Sequence, residues 1–266
     1  MTKLGWLTDI HLDHIEQNSL VEFIDMLREQ PYAGYVLSGD ISVASSLIQH
    51  LKLLDTVEKP IYFVCGNHDM WGSYVSIVRD ALEKLVASST WLNYLTNKTF
   101  VQLSKKTVMI GHDSWYDMFG HIDRTVFMND WRFIGDFYEK SYDKSDKILS
   151  VSRKLASDSV LHLKKNLMKT LSSYDEFMIV THVPPFPESH KFEGGQSDPK
   201  YVPFYTCQSM GHLLLDVAKA HPNKKFTSIS GHTHSQFDQY VLPNLRVCVG
   251  KAKYGSPMIS GEFVYV

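Results

Sequence analysis

The stretch Ile61-Tyr62-Phe63-Val64-Cys65-Gly66-Asn67-His68-Asp69 begins as an apolar run and ends as a turn that carries amide, imidazole and carboxylate groups. Side chains in a loop directly after a buried strand are held rigidly at the open end of a sheet. A similar change from apolar run to polar turn occurs at four other places, namely Asp9-Ile10-His11, Gly39-Asp40, His182 and Gly231-His232-Thr233-His234. The five turns together predict one site built at the ends of several strands.

The residue types in these turns are those of a metal site. Four imidazoles, two carboxylates and one amide are the candidate ligands: Asp9, His11, Asp40, Asn67, His182, His232 and His234. They are enough for two adjacent divalent ions, and His68 is left as a spare imidazole. Nitrogen and oxygen donors without sulfur favour Mn²⁺, Fe, Zn²⁺ or Ni²⁺ over Ca²⁺ or Mg²⁺ alone.

The spacing within two of the turns also favours convergence. Residues two apart on an extended segment point to the same side of the backbone, as Asp9 and His11 do, and as His232 and His234 do. Loop geometry can also separate the second pair onto different ions. Gly39, Gly66 and Gly231 precede ligands, which we interpret as the need for a sharp turn off a strand.

Strands and helices alternate in the first half of the chain. The pattern predicts strands at 4–8, 35–38 and 61–64, with helices over 16–30, 44–55 and 73–86. Such alternation is typical of an α/β protein with a largely parallel sheet. The remaining predicted elements are a hairpin over 99–103 and 107–110, helices over 145–171 and 208–220, and strands at 177–181, 226–230, 241–242, 246–249 and 263–266.

Length and composition predict one domain that spans residues 1–266, with 44% apolar residues to form its core. The formal charge of −2 disfavours nucleic acid and anionic membranes as partners. Cys65, Cys207 and Cys248 form neither a zinc pattern nor a disulfide framework, which favours a reducing cytoplasmic location. No apolar stretch has the length of a signal sequence or a membrane span. The oligomeric state is left open.

Two long segments, 115–142 and 183–207, lack regular periodicity and are predicted to be irregular loop insertions. Long irregular segments are uncommon in compact domains and are often functional. We therefore expect them to form walls or lids of the substrate site, and the alternative is that they are packed surface loops.

The ordered set of turns resembles the calcineurin-like metallophosphoesterases, whose motifs run D-x-H, G-D, G-N-H-D/E, a lone histidine and G-H-x-H. All five occur here in that order between residues 9 and 234. The resemblance implies a four-layer α/β/β/α sandwich, in which two mixed sheets pack face to face and helices lie outside. It also implies a metal-dependent phosphoric ester hydrolase that acts on a small-molecule phosphoester.

The resemblance also implies a role for each candidate residue. Asp9, His11, Asp40 and His234 would hold a first metal ion, and Asp40, Asn67, His182 and His232 a second. Asp40 would then bridge two cations about 3.5–4 Å apart and offset their repulsion. Water or hydroxide held between the ions would attack phosphorus. His68 would protonate the leaving oxygen or stabilise the transition state. Phosphodiesters, phosphomonoesters and pyrophosphates all stay open as substrates.

One position departs from the family pattern. Many relatives carry an acidic residue three positions after the bridging aspartate, where it orients the catalytic histidine, and this chain has Val43 there. Asp69 or a group from segment 115–142 can substitute for this acidic residue. Alternatively, the orientation of His68 is less well fixed than that of the catalytic histidine in those relatives. Protein Ser/Thr phosphatases carry an arginine at the next position, where this chain has Ala44, which argues against that subfamily.

Two other functions compete with a small-molecule phosphoesterase. A nuclease would need a positive track for the phosphate backbone, which the net charge disfavours. A non-catalytic metal-binding scaffold can dispense with the catalytic histidine and some ligands, whereas His68 and every ligand position are filled here.

Other polar and aromatic residues have less certain roles. His112 and Asp113 fit a contact to a metal ligand or a structural turn equally well. We expect Asp13 and His14 to be solvated or to support the ligands rather than to bind metal. Trp71, Trp115 and Tyr116 could stack on an aromatic group of the substrate, although packing in the core or at the rim of the site is the preferred interpretation.

Overall fold

The computed structural model describes residues 2–138, 144–189, 191–192, 195–196 and 198–265. In chain order, the helices and strands of these residues are β1 (Thr2–Leu7), α1 (Gln17–Glu29), β2 (Gly34–Ser38), α2 (Ala44–Asp55), β3 (Ile61–Val64), α3 (Val75–Ser88), β4 (Leu92–Tyr94), β5 (Val101–Gln102), β6 (Thr107–Gly111), α4 (Asp130–Phe133), α5 (Lys144–Thr170), β7 (Glu176–Val180), β8 (Lys191–Phe192), β9 (Gly195–Gln196), α6 (Val202–Tyr205), α7 (Gln208–Ala220), β10 (Lys225–Ser230), β11 (Phe237–Leu242), β12 (Leu245–Val249) and β13 (Gly261–Tyr265).

Most of the strands form two mixed sheets. The five-stranded sheet has the order β13-β1-β2-β3-β4, and only β13 runs antiparallel to its neighbour. The six-stranded sheet has the order β11-β12-β10-β7-β6-β5, with antiparallel pairs at both edges and parallel strands between them. The predicted α/β class with two mixed sheets is confirmed.

Side-chain alternation explains how the layers pack. Leu4 and Trp6 of β1 belong to a cluster between the sheets, which also contains Met109 of β6 and Ile229 of β10. Leu7 lies on the opposite face of β1, among residues that pack under helices. Successive strand residues point to opposite faces of a sheet, so each inner strand contributes to an intersheet core and to a sheet–helix core.

The predicted helices agree with the structure where the apolar pattern extends over many residues. The predicted helices 44–55 and 208–220 match α2 and α7, and α5 is displaced by one residue from the predicted 145–171. The sequence analysis missed β4, which has only three residues and is placed by parallel pairing of Leu92 with Ile61. It also predicted only the end of β11.

The two segments predicted to be irregular contain short elements, namely α4 in the first segment and β8, β9 and α6 in the second. Trp115, Tyr116 and Met118 are buried, so the first segment packs into the core as well as bordering the site described below. Residues 1, 139–143, 190, 193–194, 197 and 266 lie outside the described residues. The extent of the single domain, 1–266, stays a prediction. None of the described helices is long and apolar enough to cross a lipid bilayer.

A buried aspartate joins the two sheets at the strand ends. The Oδ1 atom of Asp113 accepts hydrogen bonds from the Cys65 backbone N–H at 2.8 Å and from the Thr96 hydroxyl at 2.7 Å. Its Oδ2 atom accepts from Arg79 Nε at 3.0 Å and from the Tyr94 hydroxyl at 2.6 Å. The Asp113 side chain therefore fixes the end of β3 relative to the end of β6, which is the predicted structural role. Its backbone carbonyl also accepts a hydrogen bond from the backbone N–H of the predicted ligand His182 at 3.2 Å.

We expect the substitution Asp113→Ala to lower the free energy of unfolding by about 3 kcal/mol, because it leaves the Arg79 guanidinium without its carboxylate. Chemical denaturation followed by circular dichroism measures this change. Asp238→Ala is the matched control, since Asp238 pairs with Arg246 at the surface and exposed ion pairs contribute about 0–1 kcal/mol. Equal losses in the two variants would contradict the role of Asp113.

Candidate metal centre

Four of the predicted ligands form one buried cluster at the ends of β1, β2 and β10. Asp9, His11, Asp40 and His234 each offer a ligand atom, and these atoms all lie within 4.8 Å of one another. His11 Nε2 is 3.2 Å from His234 Nε2, and His234 Nε2 is 3.4 Å from Asp9 Oδ1. The structure thus brings together the four residues predicted to hold the first ion.

The other three predicted ligands converge beside this cluster. Asn67 Oδ1 is 3.0 Å from His182 Nε2 and 3.0 Å from His232 Nδ1. His182 Nε2 is also 3.4 Å from Asp40 Oδ1. The predicted second set is therefore brought together as well, with Asp40 at the boundary between the two sets.

The two carboxylate oxygens of Asp40 face different sets of ligands. Oδ1 lies towards His182, and Oδ2 lies 3.8 Å from His11 Nε2. The Asp40 side chain is only 2% exposed, and Oδ1 also accepts a hydrogen bond from the His68 backbone N–H at 2.9 Å. This placement is what a carboxylate shared by two cations requires.

Hydrogen bonding directs ligand atoms into the cluster. His182 Nδ1 is 2.9 Å from the Ser38 carbonyl, which can only accept, so Nδ1 carries a proton and Nε2 is the ring atom that faces the cluster. Burial opposes a charge on this ring, but the Asp40 and Asp9 carboxylates outweigh it and raise the pKa of His182 to about 10. The Asn67 Nδ2 group donates to Asp130 at 2.8 Å, so the amide oxygen turns towards His182 and His232. A divalent cation would displace the Nε2 proton of His182, and these nitrogen and oxygen donors then fit such an ion.

The electrostatics of the cluster follow from burial and from charge. Burial lowers the pKa of His11 to about 4, and burial together with the charge of His182 lowers the pKa of His232 to about 3. Both rings are therefore neutral at pH 7, which is the form that binds metal. Burial opposes ionisation of Asp40, but the charges of His182 and His68 outweigh it and hold the pKa of that carboxyl well below its usual range.

The ligand turns have unusual backbone geometry. Eight non-glycine residues among the described parts of the chain have a positive φ angle, and five of them are predicted ligands. Their φ angles are 48° at Asp9, 38° at His11, 52° at Asp40, 70° at His232 and 55° at His234. Side chains other than glycine rarely adopt this left-handed region, and such strain is typical of functional sites.

The glycines before the predicted ligands are required for two reasons, namely backbone torsion and lack of space for a side chain. Gly39 has a φ of 93°, in agreement with the predicted sharp turn. Gly66 and Gly231 are instead needed for space, because a Cβ atom at Gly66 would collide with the Asp40 carboxylate and one at Gly231 with that of Asp9. For these two positions the predicted reason was wrong, since neither is among the glycines with positive φ.

Asp69 connects two ligand turns but does not orient His68. Its carboxylate accepts hydrogen bonds from the backbone N–H groups of Ile41, Ser42 and Gly66, at 2.9, 2.8 and 2.7 Å. It therefore fixes the turn after β2 against the turn after β3. Asp69 was one of the two substitutes considered for the acidic residue missing at Val43, and its carboxylate is engaged elsewhere.

His68 lies at the open side of the cluster. Its side chain is 13% exposed, and its Nε2 atom is 3.9 Å from Asp40 Oδ2. The indole of Trp71 stacks on its ring with a centroid distance of 3.6 Å and an interplanar angle of 24°. Trp71 is thus a rim residue, whereas Trp115 and Tyr116 are buried in the core, as preferred from the sequence.

Three residues near the cluster were not singled out from the sequence. Asp130, in segment 115–142, bonds to the ligand Asn67. Tyr205, in segment 183–207, lies 4.9 Å from the His232 ring, and Tyr254 lies 4.3 Å from the His11 ring. Both long segments therefore reach the cluster, and their role as walls or lids of a substrate site stays a prediction. No local pattern marks these residues, because tertiary packing alone brings them to the ligands.

The remaining candidates stay outside the cluster. Asp13 Oδ2 and His14 Nε2 lie 3.5 Å apart, and the expectation that these two residues are not ligands stays a prediction. His112 Nδ1 accepts a hydrogen bond from the Ser114 backbone N–H, and its ring lies 5.0 Å from that of His162.

Comparison with known proteins identifies the family of the chain. The family model described as calcineurin-like phosphoesterase matches residues 2–236, so the chain belongs to that family. No curated protein sequence matches the chain.

Solved structures share the fold at low sequence identity. A dimetal phosphatase from Danio rerio is 12% identical, with a TM-score of 0.62 over 96% of this chain and 89% of that one. TT1561 of Thermus thermophilus is 15% identical, with a TM-score of 0.50 over 94% and 89%. GAP50, the anchor in the inner membrane complex of Plasmodium, is 13% identical, with a TM-score of 0.50 over 97% and 76%. These likenesses show the fold alone.

We expect Mn²⁺ to raise the thermal unfolding temperature of protein first stripped with a chelator. A ligand that binds only the folded state at a hundred times its dissociation constant stabilises it by about 2.7 kcal/mol. Differential scanning calorimetry measures the shift, which should be lost in Asp40→Ala. Asp13→Ala is the matched control and should keep the shift. An unfolding temperature that does not respond to Mn²⁺ would contradict the metal centre.

Proposed function

We propose that this protein is a metal-dependent phosphoester hydrolase with a dinuclear centre. One ion would be held by Asp9, His11, Asp40 and His234, and the other by Asp40, Asn67, His182 and His232. The observation that carries the proposal is the position of Asp40, whose two oxygens face the two ligand sets. The donor types suit Mn²⁺, Fe, Zn²⁺ or Ni²⁺.

When bound, such ions supply Lewis-acid activation of water and neutralise charge on the phosphate oxygens. The chain itself supplies the proton donor. The His68 ring borders the cluster at Asp40 and is partly exposed, so it can reach a substrate oxygen on the open side. We assign to it protonation of the leaving oxygen or stabilisation of the transition state.

The surroundings of the cluster favour a small-molecule phosphoester. Tyr205 and Tyr254 border the cluster next to His232 and His11, so aromatic walls rather than an open track flank the ions. The formal charge of −2 gives no general attraction for a polynucleotide. The proposal covers phosphodiesters, phosphomonoesters and pyrophosphates. The cytoplasmic location stays a prediction.

We expect the protein loaded with Mn²⁺ to hydrolyse bis-p-nitrophenyl phosphate, with release of p-nitrophenol followed by absorbance. His68→Ala should lower kcat/KM by about 10²–10⁴-fold, which is the usual contribution of a positioned proton donor. Asp40→Ala should abolish turnover together with Mn²⁺ binding. His212→Ala is the matched control, because His212 is an exposed residue of α7.

The same measurements distinguish the competing functions. Turnover of DNA with a steep dependence on salt, and none of small esters, would indicate a nuclease. Fully metallated, folded protein that turned over no ester in a broad panel would indicate a scaffold and end the enzyme proposal.

A further inference from the structure

The ring of His68 has no hydrogen bond that fixes its orientation. Its Nδ1 atom is buried and has no hydrogen-bond partner among the described residues. Its Nε2 atom lies 3.9 Å from the nearest Asp40 oxygen, which is beyond hydrogen-bonding distance. Val43 stands where family members carry an orienting acid. Another contact must therefore hold this ring.

That contact is the stacked indole of Trp71. The two rings are nearly parallel, with centroids 3.6 Å apart, and the His11 ring meets His68 at 67° from 4.7 Å away. A flat aromatic surface restrains the plane of the imidazole without occupying either of its nitrogens. The stacking therefore leaves Nε2 of His68, the ring nitrogen that faces Asp40, available for proton transfer.

A single buried oxygen holds Trp71 and a metal ligand together. Asp130 Oδ1 accepts from Trp71 Nε1 at 2.7 Å and from Asn67 Nδ2 at 2.8 Å. Asp130 is 1% exposed, so water does not compete for these bonds. Because Oδ1 accepts both N–H groups, it selects the orientation of the Asn67 amide that directs the amide oxygen to the cluster.

The segment that carries Asp130 is docked firmly on the His68 turn. The Gly72 backbone N–H donates to the Phe133 carbonyl at 2.8 Å, and the Gly135 N–H donates to the Ser73 carbonyl at 2.8 Å. The Val75 N–H donates to Asp136 Oδ2 at 2.8 Å. The chain directly after Asp130 is thereby anchored to the turn that follows His68, which places the Asp130 carboxylate beside that turn.

We propose that Asp130 and Trp71 are positioning residues of the hydrolase, with Asp130 fixing the Asn67 amide and the Trp71 indole, and Trp71 holding the His68 ring by stacking. This inference rests on the proposed function for the role of His68. It gives segment 115–142 the orienting task that Val43 cannot perform. In this arrangement the His68 ring is oriented by contact with an aromatic ring rather than by a hydrogen bond.

The first test is the dependence on the leaving group. We expect Trp71→Ala to lower kcat/KM by about tenfold to a hundredfold, since a misplacement of ~1 Å costs about a hundredfold. The loss should be larger for diphenyl phosphate than for bis-p-nitrophenyl phosphate, because the poorer leaving group needs the proton more. Trp71→Phe keeps a stacked ring and should keep the wild-type ratio between the two esters.

Trp71 must act through His68 if the inference is correct. We therefore expect Trp71→Ala to have no further effect on kcat/KM in protein that already carries His68→Ala. Trp91→Ala is the matched control for loss of a half-buried tryptophan and should leave the ratio unchanged. Additive losses, or an unchanged ester ratio in Trp71→Ala, would overturn the role of Trp71 while the activity of the wild type upheld the proposed function.

The second test is metal affinity, which does not depend on turnover. By isothermal titration calorimetry with Mn²⁺, we expect Asp130→Leu to weaken binding by about 10–100-fold, as is usual when the partner of a metal ligand is lost. Asp130→Asn keeps an acceptor oxygen and should restore the affinity. Trp71→Ala should bind Mn²⁺ as the wild type does.

Asp117→Leu is the control for loss of a buried aspartate from the same segment, since Asp117 bonds to Ser209 and not to a ligand. Equal Mn²⁺ affinity in Asp130→Leu and wild type would overturn the role of Asp130. Wild-type protein that binds Mn²⁺ but turns over no phosphodiester, phosphomonoester or pyrophosphate in a broad panel would overturn the proposed function, and with it the role of Trp71.

Discussion

The site depends on the burial of one carboxylate, that of Asp40, between the ends of the two sheets. An ionised group removed from water is stable only when opposite charge and hydrogen bonds surround it. Here each oxygen faces a histidine nitrogen, and one oxygen also accepts a backbone N–H. The two ligand sets are arranged around this charge, and divalent cations would balance it more completely than imidazolium groups can.

The positive φ angles of the predicted ligands raise the backbone energy of the folded state, and the surrounding structure must offset this cost. Residues in the left-handed region cost on the order of 1–3 kcal/mol each and persist only where their surroundings over-determine them. The turns are held by each other, because the Asp9 N–H donates to the Gly39 carbonyl and the Gly231 N–H donates to the His182 carbonyl. The His232 N–H donates to Asp9 itself at 2.9 Å. A strained ligand is thus fixed by the neighbouring ligand turn.

The sequence predicted the residues that follow strands, since a ligand such as Asp40 or His182 is marked by the apolar run before it. It could not predict Asp130 or Tyr254, because neither has a local pattern and each reaches the site through packing over long separations. The three-residue strand β4 was missed for the same reason, since its pairing with β3 places it and its length shows no periodicity. The glycines were located correctly, but only the structure shows that Gly39 is required by both its torsion angle and lack of space, and Gly66 by lack of space.

The main-chain bonds that join Phe133 and Gly135 to the turn after His68 have a consequence for how the protein can diverge. Because the backbone carries the attachment, solvent-facing side chains of this segment, such as Phe127 and Arg132, can be exchanged while Asp130 stays in place. The face of the segment that carries Asp130 therefore tolerates few substitutions, while the side chains on its solvent-facing side can change during evolution and alter which compounds the protein contacts.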